Sequence, residues 1–142
     1  EWVIEKATEI GVSKISLILC NNSERKSVKE ERYHKILVSA MKQSQQKYLP
    51  QLNPLIDLKD FLSKHKRGAV AYCFPGNKMN LKNTLEKRDY PILIGPEGDF
   101  TKEEVELILA GGFDPITLGK SRLRTETAGL YACMNAKLIF EQ

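Results

Sequence analysis

The chain has 142 residues, 42% apolar and 28% charged, with 22 Lys and Arg against 18 Asp and Glu for a formal charge of +4. That is the length of one domain with a buried core, and the composition excludes both a disordered polyelectrolyte and a membrane-embedded chain. The longest nearly apolar stretch, Ile15 to Cys20, falls far short of a bilayer span, and no signal segment opens the sequence, so no membrane partner is expected. A first residue Glu1 in place of Met reads as a mature product or a piece of something longer.

Glu1 to Ile10 reads as a helix with Val3, Ala7 and Ile10 on one face and Gly11 to end it. Lys14 to Cys20 is a strand, and the polar stretch Asn21 to Ser27 a loop. Tyr33, Ile36, Leu37, Ala40, Met41, Ser44 and Tyr48 recur at steps of three and four, which predicts a long amphipathic helix over 29–48, stopped before Pro50. Leu52 to Ile56 fits an edge strand, given Pro54 inside it, and Asp57 is placed to cap a short helix through Phe61 and Leu62. Gly68 to Phe74 is a strand ended by Pro75-Gly76, and Pro91 to Ile94 is another, running into Gly95-Pro96-Glu97-Gly98-Asp99-Phe100. Thr101 and Glu104 have the spacing of a capping box for a helix that ends at Gly111-Gly112. Ile116 to Leu118 is the next strand, Gly119 to Thr125 a loop, and a final helix runs to about Phe140. Strands alternating with helices define an α/β class with a largely parallel sheet.

Cys20, Cys73 and Cys133 are far apart, with only His34 and His65 as helpers. Neither a disulfide framework nor a metal site is expected, and the thiols read as buried in a reducing cytoplasm. The charge is unevenly laid out. Residues 1–20 carry −1, residues 21–50 carry +4, residues 51–90 carry +4 and residues 91–142 carry −3. The middle of the chain thus offers cations for phosphates, or simply a solvated helix face.

In an open α/β sheet, ligands bind beyond the carboxyl ends of the strands, which singles out the loops after Phe74, Ile94 and Leu118. Each begins with Pro or Gly, which let backbone N–H and C=O groups come close to a ligand. Neither G-x-G-x-x-G nor a Walker A sequence is present, so the loops alone do not name that ligand. In Leu118-Gly119-Lys120-Ser121-Arg122-Leu123-Arg124-Thr125-Glu126-Thr127-Ala128, two arginines interrupt the acidic third at a strand-to-helix junction, with Thr125 placed to cap the helix. They either hold an anion or pair with Glu126, Glu103 or Glu104.

Glu5-Lys6-Ala7-Thr8-Glu9-Ile10-Gly11-Val12, Ile94 through Phe100 and Leu118 through Ala128, in this order and spacing, resemble the ribosomal RNA small subunit methyltransferase E family of the SPOUT (trefoil-knot) class. The resemblance covers nearly the whole chain. It implies an α/β knot of the SPOUT type, with a deep C-terminal trefoil knot and a mainly parallel sheet flanked by helices. It also implies methyl transfer from S-adenosylmethionine to N3 of uridine 1498 in 16S ribosomal RNA, by a cytoplasmic homodimer. Residues 1–142 would then be the catalytic domain, without room for the PUA-like RNA-binding barrel that normally precedes it.

The site residues implied by the resemblance are Phe74, Ile94, Gly95, Pro96, Glu97, Gly98, Leu118, Gly119, Leu123, Arg124 and Thr127 for the cofactor, with Leu118 and Leu123 either flanking adenine or packing in the core. Arg124 is the expected catalytic residue, and Arg25, Lys26 and Arg122 are expected to meet RNA. Glu97, Glu126 and bulk water are the alternatives for accepting the N3 proton. Two positions depart from the family's pattern. Gly98-Asp99 stands where Gly-Gly is frequent, and Asp also tolerates left-handed backbone. Lys42-Gln43 and Lys47 stand where Glu-Gln and Arg are frequent. Two other functions fit the same loops: a knot enzyme acting on a ribose 2′-hydroxyl or a transfer RNA base, and a catalytically silent RNA-binding domain. The apolar groups of the last helix, from Ala128 to Phe140, are too many for one exposed face, so the helix is either wholly buried or half buried against a second copy, and the resemblance implies the second copy.

Overall fold

The computed structural model describes residues 1–24, 27–84 and 90–140. In chain order the elements are α1 (Trp2–Ile10), β1 (Lys14–Leu19), α2 (Glu30–Ser44), β2 (Gln51–Asp57), α3 (Leu58–Lys64), β3 (Gly68–Ala71), β4 (Met79–Asn80) and a 3-10 turn at Leu81–Asn83. There follow β5 (Ile92–Ile94), α4 (Lys102–Ala110), β6 (Phe113–Thr117) and α5 (Thr125–Phe140). The strands form a two-stranded sheet, β1-β2, and a four-stranded sheet in the order β4-β6-β3-β5, with parallel pairing throughout. The expected parallel sheet is therefore present as two.

β3 is the central strand of the larger sheet. Gly68, Ala69 and Val70 are buried, as expected for a strand covered on both faces. Because side chains alternate, Val70 joins Leu93, Phe113 and the α3–α4 side chains Phe61, Val105 and Ile108, while Ala69 joins Ile116, Leu81 and Ala132 of α5. Helices α3 and α4 thus cover one face and α5 the other. A third cluster, Ile4, Tyr33 and Leu37, seats α1 and α2 on β1 and β2 through Ile15, Leu17 and Leu52. Leu37, Ile108 and Ile116 are fully enclosed, each contributing about 1.5–3 kcal/mol of burial.

Several boundaries differ from the sequence expectation for physical reasons. α2 ends at Ser44, not Tyr48, because Gln45 turns left-handed (φ 59°) with its N–H on the Lys42 carbonyl. Asp57 occupies the cap position of α3 without a side-chain bond. β3 stops at Ala71, three residues early. β6 begins at Phe113 and contains Pro115; β4 pairs with it only from Ile116, so the strand has a neighbour on one side at the proline. The capping box is formed as expected: Thr101 Oγ1 accepts from Glu104 N–H (3.1 Å), and Glu104 Oε1 accepts from Thr101 N–H (2.8 Å). Gly11 ends α1 with φ 105°. Among the described residues, no helix is long and apolar enough to cross a membrane, and no cluster of side chains could hold a metal ion.

Candidate cofactor and RNA site

The chain leaves β3, β5 and β6 at the same sheet edge, and the three exits enclose a cleft of about 790 Å³. Ala71, Ile94, Ile116, Leu118, Leu123 and Ala128 supply apolar lining, and Lys78, Lys120, Arg122, Arg124, Glu97 and Asp99 also line it, four cations against two anions. The volume lies in the range of small-molecule sites.

Hydrogen bonds that no local pattern announces hold these loops in register. Asp99 adopts φ 66°, the left-handed geometry anticipated for it. Its N–H donates to the Pro96 carbonyl (2.8 Å), closing the Gly95–Asp99 turn. One carboxylate oxygen accepts from the Cys73 N–H (2.9 Å) and the other from the Phe100 N–H (2.8 Å), so Asp99 ties the exit of β3 to the exit of β5. This bond takes Cys73 out of the strand and explains why β3 is short. Asn22 Nδ2 donates to the carbonyls of Gly98 (3.1 Å) and Asp99 (3.0 Å), and the Asn21 N–H donates to the buried Glu104 carboxylate (3.1 Å). The polar loop after β1 is thereby joined to the same assembly. Gly95 is buried, and a Cβ there would meet the Phe100 ring at 3.1 Å and Asp99 Oδ1 at 3.2 Å.

On the other side, Thr125 Oγ1 donates to the Gly95 carbonyl (2.9 Å), fixing the first turn of α5 to the β5 loop. The expectation that Thr125 caps α5 is corrected: it is already helical and its hydroxyl serves the neighbouring loop. Thr117 Oγ1 accepts from the Gly119 N–H (3.2 Å) and donates to the Gly119 carbonyl (3.0 Å). Gly119 has φ 111°, with open space where a Cβ would lie, so its backbone is accessible from the cleft. Lys78 Nζ donates to the Tyr72 carbonyl and lies 4.2 Å above the centre of the Tyr72 ring, closing the wall beside β3.

Of the residues singled out in the sequence, Ile94, Gly95, Pro96, Glu97, Leu118, Gly119, Arg122, Leu123 and Arg124 come together around this cleft. Phe74, Gly98 and Thr127 stand outside its lining. Phe74 is exposed because the chain turns away after Ala71, Gly98 is turned toward Asn22, and Thr127 sits on the exposed side of the first turn of α5. Arg25 and Lys26 lie outside the described residues. Glu126 is half-buried and does not line the cleft. Sequence reasoning missed Cys73, Lys78 and the carboxylate of Asp99: Cys73 and Asp99 meet across 26 residues of chain, and Lys78 folds back on Tyr72 six residues before it. Cys73 also corrects the expectation of buried thiols: Cys20 is buried, but Cys73 is exposed at the cleft, and burial pushes the partly covered Cys133 thiol up.

A covered parallel α/β fold with a cleft beyond its strand ends and convergent cations defines a class of small-molecule-binding domain that can also meet a polyanion. The chain belongs to the RNA methyltransferase domain family, whose model matches residues 1–137. It is 34% identical over 137 residues to the ribosomal RNA small subunit methyltransferase E of Mesomycoplasma hyopneumoniae, covering 92% of this chain and 60% of that protein. To the protein of the same name from Rickettsia conorii it is 30% identical over 142 residues, covering 96% and 58%. Among solved structures it superposes on a probable rRNA-methyltransferase from Porphyromonas gingivalis with TM-score 0.87 and 39% identity, covering 97% of this chain and 60% of that one. A methyltransferase E structure from Neisseria gonorrhoeae, bound to S-adenosylmethionine, gives TM-score 0.80 and 28% identity, with 93% and 57% covered. The chain thus spans about 60% of the length of these relatives.

Proposed function

We propose that this chain is the catalytic domain of an S-adenosylmethionine-dependent methyltransferase that modifies N3 of uridine 1498 in 16S ribosomal RNA, in the cytoplasm. The observation that carries the reading is the cleft at the carboxyl edge of β3, β5 and β6, where an apolar wall, accessible loop backbone and Arg124 meet. The cofactor bound in the Neisseria gonorrhoeae relative supports it. So does the chemistry of the lining, since an adenine ring needs an apolar slot with polar backbone at its rim; Leu118 and Leu123 supply the slot, and the loops after β5 and β6 supply the rim. On this reading the backbone of Ile94 to Glu97 and Leu118 to Leu123 holds the cofactor. The C-terminal segment is threaded as the deep trefoil knot of the family, and an RNA-holding PUA-like barrel belongs to the longer protein.

When bound, the cofactor supplies an electrophilic methyl group. The work left to the protein is on the base. N3 of uracil is a weakly acidic imide and must lose its proton, and Arg124 places positive charge where the anion spreads onto the uracil carbonyls. The amino end of α5, anchored by Thr125 on Gly95, adds its dipole to the same region. Arg122 holds a flanking phosphate. Glu97, exposed at the cleft, or solvent takes the proton; Glu126, outside the lining, is less well placed. The exposed Tyr131, Met134 and Leu138 of α5, with Trp2 of α1, support a homodimer through these helices, since such apolar surface normally finds a partner.

The test is transfer of labelled methyl to small ribosomal subunits lacking the modification, followed by digestion to nucleosides. Label in 3-methyluridine is the expected result. Label in a 2′-O-methylated nucleoside would move the reading to a ribose methyltransferase. Because the RNA-holding barrel belongs to the longer protein on this reading, the transfer is assayed with the full-length protein, and cofactor binding there without any transfer would reduce the chain to a silent RNA-binding domain.

A further inference from the structure

Among the described residues, Tyr48 is the most exposed of the large apolar side chains, with 84% of its surface in solvent. Helical periodicity assigns it to the face of Tyr33 and Leu37, yet the left-handed Gln45 ends α2 and carries Tyr48 off that face. The turn that presents it is firmly held. The Gln46 N–H donates to the Met41 carbonyl (3.1 Å), Gln46 Nε2 donates to the Glu9 carbonyl of α1 (2.9 Å), and the Gln51 N–H donates to the Ser13 carbonyl (2.9 Å). Pro50 is buried between these anchors. A rigid backbone therefore keeps a large ring in water, forgoing the gain from burying it.

The surroundings indicate what the ring meets. Lys47 precedes it, Lys42 lies in the last turn of α2, and Lys35 is seven residues earlier on the same helix face; all three are exposed. The only apolar neighbour in sequence is Leu49, 38% exposed. One ring and one leucine make no dimer-sized patch, and lysines are depleted at the centres of protein interfaces. An exposed aromatic ring with exposed lysines before it in the chain instead matches single-stranded nucleic acid, whose bases stack on rings while its phosphates take the charges.

We propose that Tyr48 is a stacking platform for an unpaired base of the RNA substrate, with Lys42 and Lys47 neutralising adjacent phosphates. The proposal rests on the reading of this chain as an RNA-modifying domain and adds a contact remote in sequence from the cleft loops. It makes the amino-terminal half a reader of single-stranded RNA.

The experiment titrates a labelled single-stranded oligouridylate with wild-type chain and with Tyr48→Ala, Tyr48→Phe, Lys42→Ala and Lys47→Ala over a series of salt concentrations. Tyr48→Ala should weaken binding about tenfold at every salt concentration without changing the salt slope, and Tyr48→Phe should stay within about twofold of wild type. Each lysine variant should lower the slope by about 0.7. Affinity for S-adenosylmethionine and the thermal midpoint should be unchanged in all four. Wild-type affinity in Tyr48→Ala overturns the proposal, as does an equal loss in Tyr48→Phe, which would make the hydroxyl the contact. A change in the mass of the chain in solution without a change in RNA affinity would assign the ring to a second copy instead. Binding of the oligonucleotide by the wild-type chain, with no methylation of ribosomal RNA by the full-length protein, leaves the platform standing and removes the methyltransferase reading; a chain that binds no RNA overturns the platform.

Discussion

The two halves of the molecule use the same parallel strand-and-helix construction for opposite surfaces. Around β3, β5 and β6 the loops are concave and cross-tied by Asp99, Asn22 and Thr125, so that backbone groups from three segments face one cleft. Around α1, α2, β1 and β2 the stitching bonds come from Gln46 and Gln51, and the surface carries exposed lysines with the exposed rings of Trp2 and Tyr48. Net charge does not follow that division, because residues 21–50 and residues 51–90 each carry +4 against −3 over residues 91–142. The lesson is that rigidity serves a cleft by fixing what lines it and serves an exposed face by fixing what projects from it. Arg122 and Arg124 are cations placed singly within an acidic third, whereas the lysines of α2 act as a group.

The contrast can be broken most sharply at Arg124. On the proposed mechanism, Arg124→Ala should lower single-turnover methyl transfer by about 10²–10³-fold while cofactor affinity changes less than about threefold. Equal losses in rate and affinity would make Arg124 a binding residue. Next comes the buried carboxylate that joins the β1 loop to α4. Glu104→Ala removes the acceptor of both Thr101 and Asn21 and should cost about 2 kcal/mol in urea unfolding, whereas Thr101→Ala, losing one cap bond, should cost about 1 kcal/mol.

Asp99→Gly sharpens the comparison because two effects oppose each other. Glycine relieves the left-handed strain at φ 66° but takes the acceptor from the Cys73 and Phe100 N–H groups. The thermal midpoint should therefore move by no more than about 3 °C, while affinity for S-adenosylmethionine falls roughly 3–10-fold. A large loss of stability with unchanged affinity would show that the tie serves the fold and not the cleft.

The smallest effects concern the thiols. Cys73 is exposed at the cleft and should be alkylated first, with cofactor slowing it; Cys133, its thiol pushed above the ordinary 9.0 by burial, should react more slowly. As pH rises through the ordinary thiol range the unfolded chain ionises first, so Cys133 should take a small amount of stability from the fold at alkaline pH. Urea midpoints of Cys133→Ala and wild type should converge or cross between pH 8 and about pH 10.

Much of this was legible in the sequence where the determining interaction is local. The Thr101–Glu104 box, the Gly11 stop and the alternation of strands and helices depend on residues a few positions apart. The loops carrying Gly95-Pro96-Glu97 and Gly119 through Arg124 were visible as breakers at strand ends, and the fold brings them together. What escaped depends on distant partners. The end of β3 is set by Asp99, 26 residues on from Cys73, and the end of α2 by a left-handed glutamine, a residue type with no special liking for that geometry. β4, two residues long, is too short to carry a pattern, and Pro115 hid the first half of β6. The proline at position 50 drew the helix end too far, and with it Tyr48 onto the wrong face.

The central claim, that the cleft beyond β3, β5 and β6 is a cofactor site, is tested most directly by calorimetric titration of S-adenosylmethionine into this chain. The account predicts saturable binding to one site per chain, weakened at least tenfold by Gly95→Val, whose side chain would press on Phe100 and Asp99. A chain that unfolds cooperatively, and so is folded, but shows no binding heat and no protection of Cys73 would contradict it.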